Sequence, residues 1–507
     1  MTDFLPLAAL VGRHLRHDDG DPLWHDRDRV VVCGGAAPTV PGPPGLAFGA
    51  AVGMAMVERL LAGRFGRSLV DHHTWLLADA EELAAGTSHE AAAIAGAAQL
   101  GRLIVLAIVP PAEFRALARF VPLGWNVRML DALDQKNADG AIFAALRSQK
   151  PTLIHCEGGP LAESNAVPVA AHGAGARRAW LKRLRRHAQS EPFHAAFAGR
   201  IAVPWPPPAA AAATPCDAVA AAIGRLAPSL PELFMLPPEP AAVSPAEPAN
   251  LKNLSWAGRG QAQAAALLGA GLHGGVLPLG RFSLRDAEAA RPALRAAAAL
   301  NLRGVHLLSE TGPACRIGGL RAGWRSMRDV LVLRPADEAE AAECLVLALR
   351  RTAGPSVLLL AEGGAVALPE SAPRACARGG YLVIDPPRRD ATLVTAGPEL
   401  GLALLLRALL AEQGFDMAIA SLPCWTLFAG QDASYRAAVL GDAPRIGLES
   451  GTGAGWPQFL GPDGLFIDTA DTADAAVLLP AVLRHLRRMP ALQEAREASL
   501  ESFTAID

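Results

Sequence analysis

The chain has 507 residues, a length that predicts two to four domains rather than a single hydrophobic core. A formal net charge of −2 excludes a general attraction to nucleic acid or anionic membrane, and 51% hydrophobic residues against 19% charged residues exclude a disordered chain. The seven cysteines are scattered and contain no CxxC pair, so neither a disulfide framework nor a zinc site is indicated.

The first residues, MTDFLPLAALVGRHLRHDD, carry no basic segment ahead of their short apolar run, which makes them a poor secretion signal. No apolar run reaches the roughly 18 residues that a membrane span needs. The best candidates are interrupted by Glu58 or Arg407. We therefore expect a cytoplasmic protein with no membrane partner and no nucleic-acid partner.

Proline-rich and alanine-rich segments divide the chain. The stretch PWPPPAAAAAT (204–214) is the clearest linker, and a second break falls near 372–374, ahead of a Gly-Gly pair. These breaks predict three blocks of ordinary domain size, 1–205, 206–370 and 375–507.

Within each block, continuous apolar runs alternate with alanine-rich helical patterns. The apolar runs are LIVLAIV (103–109), PTLIHC (151–156), GVHLLS (304–309), DVLVLRP (329–335), PSVLLLAE (355–362), ATLVTAG (391–397), DMAIASLP (416–423) and PRIGLES (444–450). Strands of this kind between helices are typical of parallel sheets covered on both faces. The expected fold class is α/β, with three tandem parallel-sheet domains.

Long stretches in all three blocks match the sequence pattern of one protein family. The quoted matches are LVDHHTWLLADAEELAAGTSHEAAAIAGAAQLGRLIVL (69–106), ALNLRGVHLLSE (299–310), GPSVLLLAE (354–362), GGYLVID (379–385) and GLESGTGAGWPQFLG (447–461). The chain resembles the transketolase family over nearly its whole length. That resemblance implies diphosphate-type, pyrimidine-type and C-terminal domains. It also implies a homodimer with thiamine diphosphate (ThDP) bound between the two chains.

Positions that the resemblance assigns to the cofactor carry other residues here. The family holds the divalent cation of ThDP with an Asp between two glycines and with an Asn after the following strand. In this chain Asp79 lies between Ala78 and Ala80, and the Asn position falls on Pro110. Such a cation prefers oxygen ligands. Asp79 is therefore expected to be only a weak remnant of the metal and cofactor site.

The catalytic positions of the family are substituted as well. The Glu that activates the cofactor falls on Gly260, which cannot act as an acid or a base. The family histidines fall on Ala36, Val169 and Ser309, and the arginine that holds a sugar phosphate falls on Glu362. The resemblance thus leaves no catalytic residue.

Two other acidic or histidine-bearing groups have simpler interpretations. His72 and His73 are adjacent on a strand and point to opposite faces, so we interpret them as structural residues. Glu81 and Glu82 are interpreted as a solvated loop or helix start rather than an acid pair. A helix is expected to open at Ser88.

The basic segment GPACRIGGLRAGWRSMR (312–328) replaces a catalytic loop of the family. Its glycines favour a flexible surface loop. An alternative is that Arg316, Arg321 and Arg325 form a ligand loop for a phosphorylated metabolite or an acidic partner.

These substitutions favour a transketolase-like pseudoenzyme that needs no cofactor and acts as a scaffold or regulator. Such a pseudoenzyme would form a homodimer. In a variant of this interpretation it binds a protein partner, such as an active transketolase chain. One alternative is an active transketolase that uses ThDP and Mg to move a two-carbon unit between sugar phosphates. A second alternative is a module that binds a phosphorylated metabolite.

Overall fold

The computed structural model describes residues 12–33, 39–110, 114–130, 135–156, 173–205, 214–236, 255–256, 258–310, 314–363 and 376–489. Their strands form three five-stranded sheets. The strands of each sheet fall within one of the three blocks expected from the sequence. The block boundaries themselves stay a prediction, and linker residues 206–213 lie outside the described residues.

The first sheet has the strand order β1-β2-β3-β5-β4, and its paired strands are parallel. Its strands are β1 (Arg29–Val32), β2 (Thr74–Asp79), β3 (Leu103–Ile108), β4 (Asn126–Leu130) and β5 (Thr152–Cys156). The helices of this part are α1 (Leu46–Phe65), α2 (Ala80–Ala84), α3 (Gly86–Ala97), α4 (Phe114–Leu117), α5 (Gln135–Leu146), α6 (Gly173–Arg186) and α7 (Ser190–Phe197). The two strands predicted here, β3 and β5, are buried along most of their length, as expected for continuous apolar runs.

The second sheet has the order β6-β7-β8-β10-β9. Its strands are β6 (Leu233–Leu236), β7 (Leu277–Phe282), β8 (Gly304–Ser309), β9 (Leu331–Leu333) and β10 (Pro355–Leu360). The associated helices are α8 (Pro215–Leu226), α9 (Gly260–His273), α10 (Leu284–Ala299), α11 (Ala314–Arg325) and α12 (Glu338–Arg350). All three strands predicted in this block are present.

The third sheet has the order β11-β13-β12-β14-β15. Its strands are β11 (Tyr381–Ile384), β12 (Ala391–Thr395), β13 (Met417–Ser421), β14 (Arg445–Glu449) and β15 (Leu465–Asp468). Its helices are α13 (Glu399–Glu412), α14 (Trp425–Ala429), α15 (Ala433–Leu440), α16 (Pro457–Leu460) and α17 (Ala475–Leu486). Unlike the expectation of a wholly parallel sheet, β11 is antiparallel to β13. The connection at 385–390 is too short for the crossover that a parallel strand requires.

Two helices of the first and second blocks, α1 and α9, pack with their backbones nearly touching. A Cβ atom added to Gly53 of α1 would lie 2.0 Å from the carbonyl oxygen of Ala266, and one added to Gly269 of α9 would lie 1.9 Å from that of Ala50. Helix α1 has 20 residues and is long and apolar enough to cross a membrane, but 89% of its apolar window is buried inside the fold. The apolar composition of α1 is therefore that of a buried core helix.

The described chain has two compact units, each with its own apolar core. One unit comprises residues 1–203, 227–306 and 350–355, and the other comprises 204–226, 307–349 and 356–507. Trp75 and Ile104 lie in a core cluster of the first unit, and Val394 and Trp456 lie in one of the second.

Candidate cofactor and active site

Asp79 ends strand β2 and caps helix α2. Its Oδ1 accepts a hydrogen bond from the N–H of Glu82 at 2.9 Å, and its own N–H donates to Cys33 Sγ at 3.3 Å. Among the residues that the structure describes, no three His, Cys, Asp or Glu side chains form a group that could hold a metal ion. The Asp79 carboxylate is therefore engaged in a helix cap, a common role for Asp at this position.

The neighbouring acidic residue, Glu82, is buried at the amino end of helix α1. Glu82 is 4% exposed, its Oε2 accepts from the N–H of Gly45 at 2.7 Å, and its Oε1 accepts from the N–H of Phe48 at 2.6 Å. Burial raises the pKa of Glu82, while the N–H groups of Gly45 and Phe48 partly oppose the rise. Glu82 lies at a helix start, as one interpretation held, but the expectation that it is solvated is wrong.

The segment after Glu82 also differs from the sequence-based expectation. Helix α3 begins at Gly86 rather than at Ser88. The Ser88 side chain lies inside this helix and donates from Oγ to the carbonyl oxygen of Glu82 at 2.6 Å. Helices α2 and α3 are thus tied together at the end of β2.

The other substituted cofactor positions lie around the same sheet edge. Ala78 is fully buried in β2, Ala80 is the first residue of α2, and Pro110 is exposed beyond the end of β3. Pro110 provides neither a side-chain oxygen nor an N–H group. None of these three residues can ligate a cation through its side chain.

At Gly260 the space of the missing side chain is filled by a carboxylate residue from another element. Gly260 opens α9, and a Cβ atom added there would lie 2.3 Å from Cβ and 2.8 Å from Cγ of Asp286. Asp286 belongs to the first turn of α10, where its Oδ2 accepts from Ser283 Oγ at 2.7 Å. Residue 260 can therefore carry a side chain only if Asp286 moves.

A second carboxylate, Glu90 of α3, reaches the same helix end. The N–H of Ala262 contacts it, and Arg259 and Asp286 act on it electrostatically. Burial is the main reason that the pKa of Glu90 is raised. Its Oε2 is buried without a hydrogen-bond partner in the described part of the chain. Glu90 and Asp286 could not be predicted from the sequence, because no local pattern connects them with position 260.

His72 belongs to a buried chain of hydrogen-bonding groups. Its Nε2 lies 2.8 Å from Nε2 of His273, and its Nδ1 lies 3.2 Å from Oδ1 of Asp26. His273 Nδ1 lies 2.9 Å from the carbonyl oxygen of Gly274, so Nδ1 is its donor and Nε2 accepts from His72. Burial lowers the pKa of both imidazoles.

The basic segment expected to be a flexible loop contains helix α11 instead. Arg325 donates from two nitrogens to the Glu449 carboxylate at 2.7 and 2.9 Å. Arg321 is 3% exposed, donates to Ser450 Oγ at 2.7 Å and forms an ion pair with Glu310 at 2.7 Å. The charges of both arginines are therefore balanced by the protein's own carboxylates. The side chain of Arg316 lies outside the described residues.

A third arginine, Arg334, completes this buried cluster. Its Nε lies 3.0 Å from Glu310 Oε2, and its Nη1 donates to Glu399 Oε2 at 2.6 Å. Burial opposes the charge of Glu449, but Arg325 and Arg334 outweigh it and lower the pKa of Glu449 to about 2. We call the six residues Arg321, Arg325, Arg334, Glu310, Glu399 and Glu449 the arginine–glutamate cluster.

The remaining sequence-predicted positions are not members of these groups. Ser309 ends β8 with its Oγ 3.7 Å from Cys216 Sγ. Glu362 is exposed beyond the end of β10. Ala36 and Val169 lie outside the described residues.

Comparison with known proteins identifies two matching family models. Residues 36–200 match the model described as "Transketolase, thiamine diphosphate binding domain", and residues 379–471 match "Transketolase-like TK C-terminal domain". The chain is 32% identical to a transketolase of Cereibacter sphaeroides, over 94% of this chain and 91% of that protein. It is 31% identical to a transketolase of Sinorhizobium medicae, over 91% of this chain and 84% of that protein.

Solved structures share the fold at lower sequence identity. A transketolase from Leishmania mexicana superposes with a TM-score of 0.83 at 21% identity, covering 96% of this chain and 93% of that one. One from Campylobacter jejuni gives a TM-score of 0.79 at 20% identity, covering 94% of each chain. The three-sheet α/β architecture predicted from the sequence is confirmed.

The pseudoenzyme interpretation is wrong in the light of these comparisons. Identities of 32% and 31% over more than 90% of the chain link it to proteins named transketolase. Together with the match of residues 36–200 to a ThDP-binding family model, they favour an active transketolase. The expectation that no cofactor is used is likewise unsupported, because the same matches point to ThDP.

Proposed function

The chain belongs to the transketolase family, and we propose that it is a ThDP-dependent transferase that moves a two-carbon unit between sugar phosphates. The observation that carries the proposal is similarity over nearly the whole chain to proteins named transketolase. The match of residues 36–200 to a ThDP-binding family model supports the same cofactor. Homodimer formation and a cytoplasmic location are further parts of the proposal.

In the arrangement described here, the end of β2 does not fit a metal-bound diphosphate. The Asp79 carboxylate caps α2, and Pro110 offers no ligand atom. Glu82 places a second negative group on the N–H donors at the start of α1. An incoming diphosphate would meet these carboxylates without a described cation site between them.

The acid–base requirement is easier to meet with residues of this chain. General acid–base steps contribute roughly 100- to 10,000-fold to a rate, and residue 260 has no side chain to provide one. Glu90 is a carboxyl group with a raised pKa at the amino end of α9, beside Asp286. Glu90 is therefore the residue that we assign to proton exchange in the proposed reaction.

The proposal is tested by two measurements on the purified full-length chain. Calorimetric titration with ThDP and excess Mg²⁺ should show saturable binding, which requires Asp79 and Glu82 to leave the contacts described above. A coupled assay with a ketose phosphate donor and an aldose phosphate acceptor should show turnover, with an active transketolase as the assay control. Absence of both binding at millimolar ThDP and turnover would overturn the proposal.

A matched pair of variants sharpens the assignment of Glu90. Glu90→Gln should lower turnover by about 100-fold, because it removes a proton-exchanging group while keeping its shape. Glu191→Gln changes an exposed residue of α7 by the same chemistry and should leave turnover unchanged. Equal activity of the two variants would remove Glu90 from the mechanism.

A further inference from the structure

Helix α6 carries six basic residues and no acidic residue among its 14 residues. One face of the helix is attached to the first block. Trp180 and Leu184 are 2% and 1% exposed, and Trp180 Nε1 donates to the carbonyl oxygen of Leu69 at 2.8 Å. A Cβ atom added to Gly173, at the start of the helix, would lie 1.4 Å from the carbonyl oxygen of His17. The helix is therefore fixed in position, and so is its outer face.

Two of the six basic residues are used by the fold itself. Arg177 forms ion pairs with Asp21 at 2.9 Å and with Asp18 at 3.2 Å. Arg183 donates from Nε to the carbonyl oxygen of Ser68 at 3.0 Å. These contacts hold α6 against the first block and account for two of its positive charges.

The other four basic residues share the outer face of α6. Arg178, Lys182, Arg185 and Arg186 are exposed, and none of them makes an ion pair or hydrogen bond within the part of the chain that the structure describes. They are separated by three, four, seven and eight positions, which places them on one side of a helix with 3.6 residues per turn. We call these four residues the basic stripe. At 1.5 Å per residue it is about 12 Å long.

The basic stripe repels itself. Like charges four positions apart destabilise a helix by about 0.2 to 0.5 kcal/mol per pair. Arg178 and Lys182 form one such pair, Lys182 and Arg186 form a second, and α6 has no carboxylate to offset them. An anion lying along the stripe would remove this repulsion.

The basic stripe is also short and bounded at both ends. Asp18 and Asp21 lie beside Arg177 on its amino side, and residues 187–199 on its carboxyl side contain no Lys or Arg. With the six basic residues of α6 set aside, the chain has 41 basic against 49 acidic residues. A nucleic acid or an anionic membrane would extend beyond the stripe over a net negative protein, whereas a short acidic segment would not.

The side chains of the stripe point to the same class of partner. The aromatic residue of α6, Trp180, is buried, so it is not available to stack on a base or to enter a bilayer. Guanidinium groups bind carboxylates in a bidentate geometry, and three of the four stripe residues are arginines. The stripe therefore matches a carboxylate-rich protein segment.

We propose that the basic stripe of α6 is a docking site for a short acidic segment of a partner protein. Four carboxylates at positions i, i+4, i+7 and i+8 of a partner helix would match the stripe charge for charge over its length of about 12 Å. The contact is electrostatic, so it speeds association and weakens as salt screens the charges. It is independent of ThDP and of sugar phosphates.

A fluorescent alanine-rich peptide is the probe, with four glutamates at positions i, i+4, i+7 and i+8. Anisotropy follows its titration with the full-length chain, which should bind it more tightly than a peptide with the same glutamates spread around the helix. The test variant carries Arg178→Gln, Lys182→Gln, Arg185→Gln and Arg186→Gln. It should bind the probe at least 10-fold more weakly, a change of about 1.4 kcal/mol. Binding by the natural chain should also weaken as salt is added.

The matched control replaces three other exposed arginines and one exposed lysine with glutamine, namely Arg115, Arg147, Arg328 and Lys150. It changes the net charge by the same amount and should bind the probe as the natural chain does. Thermal unfolding of the test variant should be unchanged or slightly later, because like-charge pairs are removed. If the test variant does not fold, Lys182→Glu replaces it and should weaken binding several-fold by repulsion.

Three results would overturn the inference. They are no binding of the probe by the natural chain, an equal loss of binding in the control, and tighter binding of a single-stranded oligonucleotide or of phosphatidylserine vesicles than of the acidic peptide. The titration needs no catalysis. The docking site can therefore be established or refuted whether or not the chain transfers a two-carbon unit.

Discussion

Buried charges are balanced in opposite ways in two regions of this molecule. At the amino end of α1, the Glu82 carboxylate is held by backbone N–H groups and faces another carboxylate. In the arginine–glutamate cluster, three guanidinium groups face three carboxylates. Arg334 at its centre is 2% exposed and bonds Glu310 and Glu399.

The difference determines what the loss of one partner leaves behind in each region. Loss of the Glu82 carboxylate leaves neutral N–H groups of Gly45 and Phe48 without their acceptor, but it leaves no unpaired charge. Removing one member of the arginine–glutamate cluster leaves an unpaired charge in a buried place, which is strongly unfavourable. We therefore expect the arginine–glutamate cluster to contribute more to stability than the Glu82 contacts do.

The largest expected effect comes from the cluster. Arg334→Met should lower the free energy of unfolding by about 3 to 5 kcal/mol, because it leaves one negative charge unbalanced among the buried carboxylates of Glu310, Glu399 and Glu449. Arg328→Met is the control, since the Arg328 side chain is 95% exposed beside Asp329. It should change stability by less than about 0.5 kcal/mol in urea denaturation. Similar losses in both variants would contradict the contrast.

A second variant tests the small-residue contact beside the Glu82 site. Gly53→Ala places a methyl group 2.0 Å from the Ala266 carbonyl oxygen and should cost about 1 to 3 kcal/mol through overpacking. Gly140→Ala is the control, because no atom lies within 4 Å of the added group and the residue is also helical. It should be neutral or stabilising by up to about 1 kcal/mol. Urea denaturation of both variants measures the two changes in the free energy of unfolding.

A double-mutant cycle tests whether position 260, at the amino end of α9, can carry a carboxylate side chain once Asp286 is shortened. Gly260→Glu alone collides with Asp286 and should destabilise the chain by about 2 kcal/mol. Adding Asp286→Ala should recover about 1 to 2 kcal/mol of that loss, which appears as coupling between the two changes. Additive effects would show that the two residues do not share the space.

The smallest effect is a difference in pH dependence. The pKa of Glu449 is lowered to about 2, so its stabilisation is present above its ordinary value of 4.5 and is lost as pH falls toward 2. The pKa of Glu82 is raised, so its contribution is present below the ordinary value and is lost as pH rises. Each group changes the free energy of unfolding by up to about 1.4 kcal/mol per pH unit.

Urea denaturation from pH 3 to pH 8 measures both signs. The stability difference between the natural chain and Glu449→Gln should shrink toward low pH. The natural chain should lose stability relative to Glu82→Gln as pH rises, because ionisation of the buried Glu82 carboxyl is unfavourable. Parallel curves for the two variants would contradict the opposite balancing of the two charges.

Local apolar patterns were sufficient to predict much of the fold. The run GVHLLS became β8 with the predicted bounds, and PRIGLES contains β14. The antiparallel direction of β11 was not predicted, because it depends on the short connection to β12 and on pairing with β13. Alternating apolar runs predict strands, but they do not show strand direction.

The candidate site was less accessible from the sequence, because its contacts join distant residues. Glu82 meets Gly45 across 37 positions, and Arg325 meets Glu449 across 124. Their immediate neighbours in the sequence instead predict a solvated glutamate and a flexible arginine loop. The filling of position 260 by Asp286 also depends on tertiary packing that no local pattern records.

The contact between α1 and α9 also bears on how this chain can diverge from its relatives. Asp79 and Ser88 at the end of β2 each make one hydrogen bond to the backbone of Glu82, and losing one such bond costs about 0.5 to 1.5 kcal/mol. Enlarging Gly53 or Gly269 singly forces the opposite helix to move, since each faces a carbonyl oxygen of that helix. A substitution at either position would need a compensating shift of a whole helix. The ancestry of the chain should therefore persist longest in this pair of helices, and they provide the firmest anchor for aligning it with distant relatives.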